Sequence, residues 1–176
     1  LFEVLSLYRI NDQDGGFFLS KACVATADAE FPDDLDKQNL GTYRIQVKDI
    51  DTVGIQALPF HDIAIHLAKV EAENKPLPVA IALGCDPITT FMASTPVLYD
   101  ESEYKFVGAL NDGVPCEITK ADLYPNLYVP AHAEVVLEGY IKPRVRKVEG
   151  PFGEFPGSYS GARLQCEIVI ERITHR

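Results

Sequence analysis

The stretch Glu149-Gly150-Pro151-Phe152-Gly153-Glu154 places two carboxylates on one short loop that has little freedom. Gly150 and Gly153 allow backbone angles closed to other residues, Pro151 fixes its own φ, and Phe152 can anchor the loop on an apolar surface. Carboxylates held close together in a partly dry pocket push their pKa values apart, so that one can act as an acid while the other stays ionised. The competing reading is a surface turn with two solvated acids, and the loop by itself does not separate the two.

Other polar groups lie on elements able to bring them to such a loop. Thr42 to Val47 alternates, with Tyr43, Ile45 and Val47 on one face and Thr42, Arg44 and Gln46 on the other, so Arg44 points away from the apolar side. Asn39 precedes it across a break expected at Gly41, from where both can reach one cleft. The spacing of Phe60, Ile63, Leu67 and Val70 predicts a helix beginning after Pro59 and ending near Glu73, with His61 in its first turn. Free N–H groups and the positive end of the helix dipole favour an anion such as phosphate at that end.

The remaining elements follow from the same rules. Strands are expected over Phe17 to Thr26, Val79 to Leu83, Val114 to Lys120, Glu134 to Ile141 and Leu164 to Ile173, and Asp86-Pro87 opens a helix through about Ala93. Asp28 to Asp36 and Tyr99 to Glu103 read as acidic connections. The basic run Lys142 to Val148 reads as a solvated face, or as cations that help hold an anion ahead of Glu149. Many strands separated by glycine and proline turns argue for an antiparallel barrel or sandwich with a few helices outside.

Composition sets the outer bounds. With 176 residues, 47% hydrophobic and 24% charged, the chain fits one globular domain with a proper core. A net charge of -10 opposes nucleic acid and anionic membrane surfaces. No apolar run approaches the ~20 residues of a membrane span. Leu1 to Tyr8 carries Glu3 and is followed by Arg9, unlike a signal peptide, so a cytoplasmic fragment of a longer chain is expected. Cys23, Cys85, Cys116 and Cys166 show no CxxC spacing and read as reduced thiols.

Several blocks in order resemble the UbiD family of decarboxylases: Asn39-Leu40-Gly41-Thr42-Tyr43-Arg44, Leu58-Pro59-Phe60-His61, Ser102-Glu103-Tyr104, Val129-Pro130-Ala131, Glu138-Gly139 and the Glu149 to Glu154 loop. Within the family the chain is most similar to the large subunit of hydroxyarylic acid decarboxylases acting on 4-hydroxybenzoate or vanillate. The resemblance implies a mainly β split barrel of the flavin reductase-like kind with a few flanking helices. It implies prenylated FMN, supplied by a flavin prenyltransferase and held through Mn²⁺ or Mg²⁺ with K⁺ nearby. The implied metal ligands are Asn39, His61 and Glu103, a mixed oxygen and nitrogen set suited to such a cation. Without the resemblance these three read as a turn residue, a helix-start residue and a surface acid. His66 reads as a surface residue or one behind the ligands, and His132 and His175 as structural.

The implied catalytic set is Arg44, Glu149 and Glu154. Arg44 would hold the substrate carboxylate or flavin edge, Glu154 would protonate carbon after CO₂ leaves, and Glu149 would tune it and pair with Arg44. Thr42, Tyr43, Gln56, Ala57, Leu58 and Asp62 match cofactor-lining segments, and Ser94 and Thr95 match a segment offering carbonyls to K⁺. Relatives of this kind are longer, with an N-terminal domain and a C-terminal segment that closes over the site, accessory small subunits and homo-oligomeric assembly. Residues 1–176 are therefore expected to be a single cofactor-binding core. Two other readings stay open: an FMN-dependent oxidoreductase on a split barrel, and a non-catalytic flavin-binding or assembly module.

Overall fold

The computed structural model describes all of residues 1–176. Its centre is a closed, wholly antiparallel barrel of six strands. These are β1 (Phe18–Ala27), β2 (Gln38–Val47), β3 (Thr52–Ile55), β4 (Leu77–Leu83), β7 (Val135–Glu149) and β10 (Arg163–His175), in the ring order β1-β2-β3-β10-β7-β4. Closure leaves no exposed barrel edge. Three helices pack outside or over an end: α1 (Asp62–Ala72), α2 (Pro87–Met92) and α3 (Glu103–Leu110). Short pairs β5 (Ile118–Lys120) with β6 (Tyr128–Pro130), and β8 (Phe152–Gly153) with β9 (Tyr159–Ser160), complete the chain.

The period of two divides the strand residues between two cores. Ala22 and Val24 of β1, Ile45 of β2, Ile55 of β3, Ile81 of β4 and Ile168 of β10 fill the barrel, where Ile63, Leu67 and Val70 of α1 join them. The alternate residues Cys23, Ala25, Ala27, Ala80 and Ala82 face outward and are small, so Tyr104 of α3 can pack close against them. Both faces of β1 are thus buried, which is why it reads as a nearly unbroken apolar run. Truncating a filled position such as Ile168, which has no exposed surface, costs about 2–5 kcal/mol.

The structure departs from sequence expectation in several places. No break occurs at Gly41: β2 runs straight through it, and the glycine is needed because an added Cβ would lie 2.4 Å from the Tyr43 ring. Phe60 is 75% exposed and lies ahead of α1 rather than on its buried face, while His61 is the N-cap, with extended backbone. The strand expected from Val114 shrinks to Ile118–Lys120, and β3 and α3 were not anticipated. The strand expected to end at Ile141 continues through the basic run to Glu149, with a bulge across residues 142–145 where Arg144 takes φ 59°. Arg144, Arg146 and Lys147 of that basic run are exposed, as a solvated face requires, and the first two also meet an acid of α1. Arg146 forks onto the Glu71 carboxylate at 2.9 and 3.1 Å, and the Arg144 amide donates to the same group at 2.7 Å. All four cysteines are free thiols; Cys23 and Cys166 are buried, Cys85 and Cys116 half-buried.

Candidate active site

Arg44, Glu149 and Glu154 converge on one spot. Nε of Arg44 donates to Oε1 of Glu149 at 2.9 Å and Nη2 donates to its Oε2 at 3.0 Å, while Nη1 donates to Oε1 of Glu154 at 2.6 Å. The planar fork suits this bidentate grip, and three of its five N–H donors are used. Exposure separates the acids: the Glu149 side chain is 0% exposed, Arg44 10% and Glu154 36%. Glu149 is a fixed counter-charge, and of the two acids only Glu154 meets solvent. The Arg44–Glu149 pair is one that the resemblance implies, and with Glu154 it leaves two N–H donors of the guanidinium for anything else.

The loop is held from several directions, and the N-terminal segment does much of it. Asp14 is buried, accepts from the Gly153 amide at 2.7 Å through Oδ1, and accepts from the Asn11 amide at 3.0 Å through Oδ2. The Gly15 amide donates to the Pro151 carbonyl at 2.7 Å. A Cβ at Gly15 would lie 2.1 Å from the Gly150 carbonyl oxygen, so only glycine allows this approach. Gln46 accepts from the Gly150 amide at 3.0 Å. The anchoring expected of Phe152 is present: its ring packs on Phe18 with centroids 4.7 Å apart, and the Arg44 guanidinium carbon sits 5.0 Å from its centroid. Gly150, at φ 90°, occupies the left-handed region that glycine tolerates.

A cleft of about 370 Å³ opens around Thr42, two positions from Arg44 on β2. Its walls include Asn39, Thr42, Tyr43, His61, Asp62 and Glu103, with Ser94 and Thr95 at the α2 end. Thr42 precedes Arg44 by two positions on β2, so both point to the outer face and the cleft adjoins the Arg44 cluster. Nδ1 of His61 is buried with no hydrogen-bond partner. Oε2 of Glu103 accepts from the Leu40 amide at 2.8 Å. Burial pushes the Glu103 carboxyl up to about 7 against the pull of that amide, and Asp62 raises it further. Burial also raises Asp62, opposed by His61, and lowers His61, opposed by Asp62. Burial raises the Tyr43 phenol, with the Asn39 amide opposing.

No lysine or arginine lines the cleft. Two acids, an imidazole with a buried unpaired nitrogen and an amide form an electron-pair-rich wall without a cation, which fits an oxygen-preferring divalent metal. No group of three or more His, Cys, Asp or Glu side chains gathers as a ready metal cage. The cleft therefore offers a cation at most one imidazole, the Asp62 and Glu103 carboxylates and one amide.

Most of the expected site residues come together. Arg44, Glu149 and Glu154 form one cluster, and Asn39, Thr42, Tyr43, His61, Asp62 and Glu103 line the adjoining cleft. Gln56, Ala57 and Leu58 do not line it; they are half-buried between β3 and α1. His66 is not at the surface: it is 1% exposed, with Nδ1 3.0 Å from the Thr26 hydroxyl. His132 pairs with Glu117 at 2.8 Å on the surface, and His175 is exposed. Sequence reasoning missed Asp14, Gly15 and Gln46, since a lone acid beside a glycine pair reads as an ordinary turn.

Comparison with known proteins adds to this geometry. The family profile for UbiD, described as the 3-octaprenyl-4-hydroxybenzoate carboxy-lyase Rift-related domain, matches residues 1–176. A phenolic acid decarboxylase of Sedimentibacter hydroxybenzoicus is 73% identical over the whole chain, which spans 37% of that relative's length. The structure of the vanillic acid decarboxylase of Sedimentibacter hydroxybenzoicus in closed form superposes over the whole chain and 37% of its own, with TM-score 0.97 and 73% identity. The UbiD-class enzyme HmfF of Pelotomaculum thermopropionicum, solved with prFMN, superposes over the whole chain and 40% of its own, with TM-score 0.91 and 31% identity. In fold alone, the barrel also resembles a split-barrel flavin reductase of Shewanella frigidimarina, with TM-score 0.53 and 11% identity over 90% of this chain and 68% of that one.

Proposed function

The chain belongs to the UbiD family, and on that premise we propose that it is the cofactor-binding core of a longer enzyme that decarboxylates phenolic acids without net oxidation. The observation that carries this reading is Arg44 held between a buried Glu149 and a half-exposed Glu154, at the edge of a cleft rich in metal-binding oxygen and nitrogen. Support also comes from relatives whose printed names describe phenolic and vanillic acid decarboxylases. Hydride transfer from a nicotinamide has no use for such a caged acid pair.

The group that would suit the cleft is prenylated FMN, with which HmfF was solved, together with Mn²⁺ or Mg²⁺. When bound it supplies the electron sink for breaking the carbon–carboxylate bond. Asn39, His61 and Glu103 are the residues that would hold the metal, and Thr42, Tyr43 and Asp62 would line the flavin. Ser94 and Thr95 stand where carbonyls could meet K⁺. Gln56 to Leu58 would act only from behind the wall.

The chain's own residues supply the rest. Two free N–H donors of Arg44 orient the substrate carboxylate, and Glu149 keeps the guanidinium from turning away. The bond to the carboxylate breaks, CO₂ leaves, and the ring carbon that kept the electron pair takes a proton from the Glu154 carboxyl. Glu154 is exposed enough to be reloaded from solvent. In the reverse direction the same carboxylate removes the ring proton. A small aromatic acid such as 4-hydroxybenzoate or vanillate is the substrate class, a prenyltransferase supplies the flavin, and a small accessory subunit with homo-oligomeric assembly completes the enzyme.

The test is direct. The full chain produced with a flavin prenyltransferase should release CO₂ from 4-hydroxybenzoate or vanillate, and Glu154→Gln should keep its flavin while losing turnover. Loss of flavin in that variant, unchanged turnover, or bleaching of the bound flavin by NADH would each overturn the assignment.

A further inference from the structure

Asn39 reaches the cleft with a side chain that presents either an oxygen or an NH₂, and the two look alike to everything except their partners. Only the oxygen can bind a cation. In the structure Nδ2 of Asn39 lies 3.5 Å from the Thr26 hydroxyl, as a donor. The same hydroxyl lies 3.0 Å from Nδ1 of His66. Thr26 has no exposed surface, His66 is 1% exposed and Asn39 7%, so water does not compete for this chain of contacts.

A hydroxyl has one proton and can accept more than one. If His66 Nδ1 carries no proton, it takes the Thr26 proton, and Thr26 accepts from the Asn39 amide nitrogen. The Asn39 oxygen then turns to the cleft. If Nδ1 is protonated, it donates to Thr26, and the Thr26 proton is released to turn elsewhere, the Asn39 oxygen included. An Nδ1 that takes the Thr26 proton instead leaves the hydroxyl toward Asn39 as an acceptor only, which keeps the amide nitrogen on Thr26 and the oxygen on the cleft side.

We propose that Thr26 and His66 are positioning residues that hold Asn39 with its amide oxygen toward the cleft, ready for a divalent cation. Neither touches the cleft itself, and the idea rests on the reading that Asn39 is a metal ligand. Partners behind metal ligands typically change affinity about 10- to 100-fold when removed.

The experiment uses the full chain with FMN and follows Mn²⁺ uptake by loss of the free-ion EPR signal. Thr26→Val, nearly isosteric, is expected to weaken Mn²⁺ binding at least about tenfold, and Thr26→Ser to bind within about twofold of the parent. In an Asn39→Ala background, Thr26→Val should add nothing. His66→Asn, whose amide oxygen can stand where Nδ1 stands, should retain affinity that His66→Leu loses; this pair decides the matter if Thr26→Val does not fold. Independently of any metal, ¹⁵N spectra of the histidine rings should place the neutral proton of His66 on Nε2. Equal affinity for Thr26→Val and parent, equal loss in the serine and valine variants, or a proton on Nδ1 would overturn the proposal while leaving the decarboxylase reading standing. A parent chain that binds FMN but no Mn²⁺ would instead remove the metal site and this inference together.

Discussion

Arg44 and Glu149, 105 residues apart in the chain, meet as a two-pronged ion pair in which both oxygens of a fully buried carboxylate are engaged by one guanidinium. A buried carboxylate left alone is costly, and removing one partner of such a pair typically costs about 3–5 kcal/mol. Arg44→Met should therefore lower unfolding stability by about that amount in urea. A loss under about 1 kcal/mol would mean that water reaches Glu149 freely.

The two acids should separate by what their loss damages. Glu149→Gln should weaken both fold and turnover, because the amide keeps one acceptor but no charge for Arg44. Glu154→Gln should leave the melting temperature within a few degrees of the parent and abolish CO₂ release, since a half-exposed pair contributes at most about 1 kcal/mol. Paired thermal melts and CO₂ assays distinguish these outcomes.

Gly15→Ala tests the clamp on the acidic loop. Its new methyl would sit 2.1 Å from the Gly150 carbonyl, a backbone atom that cannot swing aside. A stability loss of about 1–3 kcal/mol is expected. Turnover should fall about tenfold or more, because Glu154 shifts with the loop. Unchanged turnover would show that the loop position does not matter to proton transfer.

Metal uptake should depend on three residues and ignore two. Asn39→Ala, His61→Ala and Glu103→Gln should each reduce Mn²⁺ affinity about tenfold or more, whereas His132→Ala and His175→Ala, both exposed, should not. Calorimetry with FMN present reads this directly.

Acid should weaken the fold through two groups. Burial lowers His66 to about 4 from 6.5, so unfolding takes up a proton between those values. Its contribution is complete above about pH 6.5, is lost progressively as pH falls to about 4, and is on the order of 3 kcal/mol. Burial alone would raise Asp28, but hydrogen bonds from Lys69 and Tyr99 overcome it and set the carboxyl at about 2, below the usual 3.8. Its contribution is present above pH 3.8 and disappears as pH falls through about 2. The Glu103 carboxyl, raised to about 7, gains its proton in the folded state over nearly the same range and offsets this loss, so the readout is differential: urea midpoints of His66→Phe should gain on those of the parent between pH 6.5 and 4.

Much of this was legible in the chain because period and punctuation are local. The alternation around Arg44 put the guanidinium on the polar face, the helix after His61 appeared at its spacing, and the loop from Glu149 read as stiff. What escaped depends on distant partners. Gly41 looked like a break because nothing nearby shows that the Tyr43 ring needs its space. Arg144 and Arg146 are exposed as expected, but their acceptor, Glu71, lies on α1 and leaves no local sign. His66 could be read as superficial or as lying behind the ligands, because its partner, a threonine on β1, is distant in sequence. The strand through Pro143 was hidden by its bulge, since a bulge interrupts the very alternation by which strands are read.

The ring closes between β3 and β10, so the last long strand joins one laid down about a hundred residues earlier. A molecule with so high a contact order searches slowly for its ends. A nascent chain that has not yet released residues 163–175 would have the cleft residues but no hoop around them. The acid would then be positioned all at once, only when β10 has emerged and closed the ring, and lesions that delay β10 would show first as aggregation during expression rather than as weakened chemistry.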